Sequence, residues 1–324
     1  MKAGIDIGYS EAKATTGQVR VQVPHAIGTP DRARFTLNGT NDGMIIVTPE
    51  GMEPRLVGEL AIEQSRFQAR REDRNFVSSD EYGYLMAATF TQLTKASRVD
   101  LQVVTGLPVA FYEDKPLVEQ RFKGEHRIAR EGRGTQVFRV QECKCIPQPF
   151  GTVLSMALDD KGRIRANDLA QGEVGIIDIG GKTTNLLSVR RLKEIGFRTT
   201  SISLGGWDAI RAMQDYIARN YPGLEYRDHE LARFVRTGRI KYYGEEQDIS
   251  EAVAEILSPM ADQVASQASQ LWNGGARLDA ILISGGGALL LGDYLAQHFR
   301  HGKVVDEPVH ANAIGFYNLA QRMK

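Results

Sequence analysis

Cysteine is nearly absent from this chain: only Cys143 and Cys145 occur among 324 residues, two positions apart. A bridge between such near neighbours would be strained, and two ligands do not make a zinc site, so both are expected to be reduced thiols. On a strand they would share one face. Excess charge is missing as well, since 40 lysines and arginines balance 40 aspartates and glutamates. Extended direct contact with DNA needs many uncompensated cations, so this balance argues against it. No stretch approaches the roughly 20 apolar residues that span a bilayer. The first apolar run is short and carries Asp6, which is unlike a signal peptide. The expectation is a soluble cytoplasmic protein without a membrane partner, long enough for two domains of ordinary size.

What the chain does have is a repeated strand-and-glycine motif. Ile176, Ile177 and Ile179 read as a buried strand, and Asp178 inside that run is a carboxylate that packing alone would not put there. Gly180 and Gly181 follow, then Lys182, Thr183, Thr184 and Asn185, before Leu186 to Val189 resumes a strand. Strand, glycine turn, strand is a hairpin. Glycines at its tip let backbone N–H groups approach an anion, the two threonine hydroxyls add donors, and Asp178 can hold a hydrated Mg²⁺. Ile5, Asp6, Ile7 and Gly8 repeat Ile177 to Gly180 residue for residue, half a chain earlier. That spacing is too long for a solenoid and suits a duplicated domain.

Periodicity and turn chemistry lay out the rest. Strands are expected at 4–8, 19–23, 44–47, 101–108, 126–130, 136–146, 199–204, 278–284 and 304–305, with 13–17 as the partner of the first. Helices are expected at 58–65, 81–93, 115–122, after Pro147 to 158, and at 207–218, 228–237, 250–272, 289–299 and 311–323. Asp248 and Ser250 offer capping side chains to the longest of them. Turns are expected at 28–30 and 38–43, and a solvated basic run at 66–74. The polar break at Asp159 to Gly162 reads as the approach to a second domain. The division expected is 1–158 with 311–324, and 159–310.

Four glycine-bearing turns each end an apolar strand: Gly8, Gly180 with Gly181, Gly205 with Gly206, and Gly285, Gly286 and Gly287. In this order, from residue 5 to about 316, they resemble the actin/Hsp70/sugar-kinase superfamily of nucleotide-binding proteins. The resemblance implies an α/β, two-domain actin-like fold, a duplicated ribonuclease H-like arrangement with a nucleotide cleft between the domains. It makes Asp6 to Lys13 the first phosphate hairpin, Asp178 to Asn185 the second, and Ile283 to Ala288 the adenosine turn. The helix after Gly151 and the one carrying Ala313 to Phe316 would be the two crossing helices.

The resemblance further implies ATP or GTP with Mg²⁺ as the ligand. Backbone N–H groups around Gly8, Tyr9 and Ser10, and around Gly180, Gly181 and Lys182, would grip the phosphates. Lys13 would add an ammonium, while Ser10, Thr183 and Thr184 would add hydroxyls. Asp6 and Asp178 would hold the metal through its waters, and Gly205 and Gly206 would let a helix N terminus approach the nucleoside. Gln148, between Pro147 and Pro149, matches the position where the family places a Gln or Glu that orients the attacking water. Catalysis would then rest on Gln148, Asp178 and Asp6.

The compact length, with Val57 to Ala61 and Val104 to Val109, looks most similar to prokaryotic actin-like proteins of the plasmid-segregation type, the ParM/StbA group. That likeness implies a polymerisation-coupled ATPase forming head-to-tail filaments, a DNA-binding adaptor as partner, and no direct nucleic-acid contact. A small-molecule kinase on the same fold and a non-polymerising nucleotide-binding scaffold stay open as alternatives. The kinase lacks an expected inserted segment here, and the scaffold lacks an expected amphipathic tail.

Overall fold

The structure is a computed structural model that describes residues 1–30, 45–64 and 74–324. The turn at 38–43 and the basic run except for its last residue, Arg74, lie outside the described residues, as do Met44 and Ser65 at the ends of two expected elements. The chain divides into two compact units, Met1–Arg163 with Asn312–Lys324, and Ile164–Ala311.

The first unit is organised by one sheet. Its strands are β1 (Lys2–Ile7), β2 (Glu11–Thr15), β3 (Arg20–Pro24), β4 (Ile27–Gly28), β5 (Ile46–Pro49), β6 (Arg55–Val57), β7 (Arg98–Leu107), β8 (Gly124–Arg130) and β9 (Gly134–Pro147). Among the described residues they lie in the order β3-β2-β1-β7-β9-β8-β5-β6-β4. β1, β2 and β3 form an antiparallel meander, and β1, β7 and β9 run parallel. Gly28, expected in a turn, ends β4 instead, where it pairs with Leu56.

The helices of this unit before the chain leaves it are α1 (Glu59–Gln64), α2 (Asp80–Leu93), α3 (Lys115–Phe122) and α4 (Gln148–Ala157). α2 starts where Ser79 accepts the N–H of Tyr82 on its side chain at 3.2 Å, which satisfies one orphan donor of the first turn. It then buries Tyr82, Leu85, Phe90 and Leu93 in the core against the sheet. Each such side chain is worth about 1.5–3 kcal/mol of apolar burial.

The cysteines sit on β9, both buried and both free. The inward residues of β9 are Gln136, Phe138 and Val140, then Cys143, Cys145 and Pro147. The parity changes because the register with β7 slips by one residue after Val140, a bulge that turns the later side chains to the core. Burial raises both thiol pKa values, Cys145 to about 12, so neither is a nucleophile at neutral pH.

The second unit repeats the same scheme. It contains α5 (Asn167–Gln171), β10 (Glu173–Ile179), β11 (Thr184–Arg190), β12 (Lys193–Glu194), β13 (Thr200–Ile202), α6 (Gly206–Asn220), α7 (Asp228–Thr237), β14 (Arg239–Tyr242), β15 (Glu245–Asp248), α8 (Ser250–Trp272), β16 (Ala280–Ser284), α9 (Ala288–Ala296) and β17 (Gly302–Val304). The sheet order is β12-β11-β10-β16-β17, with β13 also paired to β11. β10 and β11 are antiparallel, while β10, β16 and β17 are parallel. An antiparallel meander leading into parallel strands beside its first member is thus built twice. The Ile-Asp-Ile-Gly repeat marks the same end of the same strand, β1 and β10, in both.

α7 and α8 start and stop where the sequence places them. Asp248 accepts the backbone N–H of Ser250 at 2.9 Å, and Gly238 closes α7 at φ 64°. In the hairpin of β14 and β15 the alternation is confined to Ile240 and Tyr242 of β14, and β15 has no apolar residue, so the pair was not legible as strands. The last helix, α10 (Ala311–Ala320), returns to the first unit from Asn312 onward. There it packs backbone to backbone on β1 and α4, because a Cβ at Gly4 would overlap Ala313 and Tyr317, and one at Gly315 would overlap Gly151. No described helix is long and apolar enough to cross a membrane.

Candidate functional site

In the first unit β1 ends at a turn in which the N–H of Gly8 reaches the carbonyl of Glu11 at 3.0 Å. One residue before that end, Asp6 lies directly across the ladder from Lys13. Asp6 is 5% exposed, and Gln148 at the start of α4 donates its Nε2 to Asp6 Oδ1 at 2.8 Å. The side chain of Asn312 hydrogen-bonds the same carboxylate. The Oδ1 of Asn312 accepts the hydroxyl of Thr152 at 3.0 Å, which orients that amide. Burial lifts the Asp6 pKa above its ordinary value, and the charge of Lys13 with the two amide donors opposes this only in part. Lys13 Nζ lies 3.1 Å from Glu11 Oε1, and Gln22 donates its Nε2 to the other oxygen of that carboxylate, Oε2. Ser10 Oγ is buried without a hydrogen-bond partner among the described residues.

The second unit has the equivalent turn, closed by the N–H of Gly180 on the carbonyl of Thr183 at 2.8 Å. Asp178 is 5% exposed, pairs across the ladder with Asn185, and has the hydroxyl of Ser284 at 3.5 Å from its Oδ1. The three glycine segments of this unit converge on the end of β10. Gly287 donates its N–H to Ile179 at 2.8 Å, Gly206 to Gly180 at 2.9 Å, and Trp207 to Gly181 at 2.8 Å. A Cβ at Gly205 would run into the carbonyls of Gly180 and Gly181, and one at Gly285, where φ is 88°, into Ile179 and Asp178. Gly286 lies between Gly285 and Gly287 in the chain, and its carbonyl accepts the N–H of Leu289 in the first turn of α9 at 3.4 Å. Glycine is required here because backbones touch.

Four expectations are corrected by this geometry. The hydroxyl of Thr184 donates to the carbonyl of Leu204 at 2.7 Å, so it ties β11 to the segment before α6 and is not a donor for a phosphate. That bond and the cap at Gly205 also shorten the strand expected at 199–204 to β13. The N–H groups of Gly8 and Gly180 close their own turns, which leaves the next residues, Tyr9 and Ser10, and Gly181 and Lys182, as the tip. The N terminus of α6 bonds the hairpin through Gly206 and Trp207, and Gly205 donates to Asp208 at 2.8 Å. Gly205 and Gly206 therefore seat a helix on the turn through N–H groups already bonded within the protein. Thr183 keeps its place at the tip, as does the exposed Lys182. Asn312 was missed: it stands one residue before the segment singled out in α10, and only its burial at 6% exposure marks it.

A duplicated meander-and-parallel sheet, with an aspartate at the same strand end in each copy, defines an actin-like two-domain α/β protein. The chain belongs to the actin-like proteins: residues 4–151 match the family "actin like proteins N terminal domain", and residues 176–297 match "archaeal actin homologue MreB-like, C-terminal". Among solved structures, it is similar to the archaeal actin homolog Ta0583 in complex with ADP, at 18% identity over all of both chains with a TM-score of 0.80. A 15-stranded ParM filament from Clostridium botulinum matches at 21% identity over 99% of each chain, TM-score 0.80. Bacillus thuringiensis ParM with ATP matches at 13% identity over 98% and 97%, TM-score 0.72. No curated protein matches the chain in sequence.

No cluster of three or more His, Cys, Asp or Glu side chains forms among the described residues. A single buried carboxylate at the end of β1 or of β10 cannot make an all-protein cage, but it fits Mg²⁺, which keeps several of its waters.

Proposed function

We propose that the chain binds ATP with Mg²⁺ through its two aspartate-bearing hairpins, hydrolyses the γ-phosphate slowly, and polymerises head to tail in the nucleotide-bound state. The observation that carries this reading is the same turn built twice: Gly8 to Glu11 and Gly180 to Thr183, each starting two residues beyond a buried strand carboxylate. The tip N–H groups, with Lys13 and Ser10, bind phosphate oxygens. Asp6 and Asp178 would hold the metal through its waters, and the ion would supply charge neutralisation on the phosphates. The relatives named as bound to ADP and to ATP support the nucleotide, and the ParM filament supports self-association.

Hydrolysis needs a water held in line with the bond to be broken. Gln148 suits this because Asp6 fixes its Nε2, so the amide plane is set and Oε1 can accept a water hydrogen. The water oxygen bonds to the γ-phosphorus, the bond to the β-phosphate oxygen breaks, and ADP and phosphate leave with the proton on phosphate. The contact between subunits is heterologous and does not close, so it propagates as a filament. We place DNA segregation through an adaptor downstream of this, since balanced charge gives the chain no footprint for DNA itself.

Sedimentation of purified protein with ATP, with GTP and without nucleotide, alongside phosphate release, tests the proposal. ATP-dependent pelleting with phosphate released in the absence of any acceptor is the expected result. Turnover only with an added sugar or other hydroxyl acceptor would make the chain a kinase.

A further inference from the structure

The first hairpin is held from behind by a residue outside it. His25, between β3 and β4, donates its backbone N–H to the carbonyl of Ser10 at 2.8 Å. Its ring Nδ1 lies 2.8 Å from the carbonyl oxygen of Tyr9. A carbonyl can only accept, so Nδ1 carries the hydrogen and donates it. The ring has little freedom to turn. His25 is 5% exposed, and the Phe76 ring lies 4.9 Å from it and 5.4 Å from Tyr9.

The second hairpin is held in the same way by different groups. There the first N–H groups of α6, from Gly206 and Trp207, bond the carbonyls of Gly180 and Gly181. Aligning the repeat so that Asp6 corresponds to Asp178 makes Tyr9 the counterpart of Gly181. In a planar trans peptide the carbonyl and the following N–H point in opposite directions. Fixing the carbonyl of Gly181 therefore aims the N–H of Lys182, and fixing that of Tyr9 aims the N–H of Ser10.

We propose that His25 is a positioning residue of the phosphate site. Its Nδ1–H holds the Tyr9–Ser10 peptide so that the Ser10 N–H faces the bound phosphate, one side chain doing for the first hairpin what a helix N terminus does for the second. The role toward phosphate rests on the nucleotide-binding reading above; the holding of the tip does not.

Three variants separate this from general structural support. The Nδ2 of asparagine occupies the place of histidine Nδ1, whereas the Nε2 of glutamine occupies that of histidine Nε2. His25→Asn therefore keeps the donor, and His25→Gln and His25→Ala remove it. In nucleotide-free protein, amide hydrogen exchange across residues 8–11 should quicken about tenfold in the Gln and Ala variants and stay near wild type in Asn, the effect of losing one neutral hydrogen bond. In turnover, the same two variants should raise KM for ATP about three- to tenfold with kcat nearly unchanged, and Asn should restore it.

Equal exchange in wild type and the Gln variant, or exchange in Asn as fast as in Gln, overturns the proposal. Should Ala unfold, the Asn and Gln pair still decides it, because both keep a side-chain amide and one methylene moves its donor from the Nδ1 to the Nε2 place. If the tip loosens as expected while wild type binds no ATP, the nucleotide reading fails and the holding of the tip by His25 stands.

Discussion

Asp6 is the residue on which most of the first unit's site converges, and its ionised form is held at a cost. Burial outweighs the help from Lys13, Gln148 and Asn312, so the folded chain binds the Asp6 proton more tightly than the unfolded chain does. This group therefore favours folding most at low pH, and that contribution is lost as pH rises from the ordinary value of 3.8 through the raised one. Replacing Asp6 by Asn removes the loss. Thermal melts of nucleotide-free protein should show Asp6→Asn gaining on wild type as pH goes from acid to neutral; a gap that stays constant or narrows would contradict the assignment. Gln148 shares a hydrogen bond with Asp6 but is assigned to the water. Gln148→Ala should slow phosphate release by roughly 100-fold, as expected for a lost orienting group. ATP affinity measured by titration should stay near wild type, and a comparable loss of binding would remove the water-orienting role. Both residues were marked in the sequence, Asp6 because a carboxylate inside an apolar strand has no packing reason, Gln148 because its place between two prolines matches the position that the family resemblance singles out. Asn312 was not, since nothing in its neighbours separates a buried asparagine from an exposed one at a helix start.

At the scale of elements, glycine decides where backbones touch. α10 can pack on α4 and β1 only because Gly315, Gly151 and Gly4 lack side chains. Gly315→Ala would force the two helices apart and should destabilise the chain by about 3 kcal/mol, read from urea unfolding. Gly205→Ala acts elsewhere. Its Cβ would meet the carbonyls of Gly180 and Gly181, so it should lift α6 off the second hairpin. The expected result is lost nucleotide affinity with far-ultraviolet dichroism unchanged; unchanged affinity would show that the seating of α6 on the turn is not needed. Trp207, bonded to Gly181 through its backbone, offers a fluorescence reporter for the same event. The sequence marked these glycines as ligand groups. The structure shows that Gly205, Gly206, Gly285 and Gly287 first serve contacts within the protein, which bring three chain segments to the end of β10.

At the scale of the molecule, chelation of Mg²⁺ should abolish ATP-dependent pelleting and phosphate release together, and restoring the ion should recover both; filaments that persist in chelator would separate assembly from metal-bound nucleotide. The order of the longer elements, the two copies of the acid-bearing hairpin and the ends of α3, α7 and α8 could be read from the chain alone. Local chemistry is enough for these: periodicity sets the element, a capping side chain or a glycine at positive φ ends it, and an isolated carboxylate in an apolar strand announces itself. Which donor meets which acceptor could not be read. The sequence offers Thr184 and the glycine N–H groups equally to a phosphate and to the protein, and only the paired strands decide that Thr184 faces Leu204. Strand pairing over long separations also set the bulge that turns Cys143 and Cys145 inward, the carbonyls held by His25, and the place of Asn312 beside Asp6. Hydrogen bonds are short-ranged and directional, so they depend on positions that only the packed sheets and helices supply.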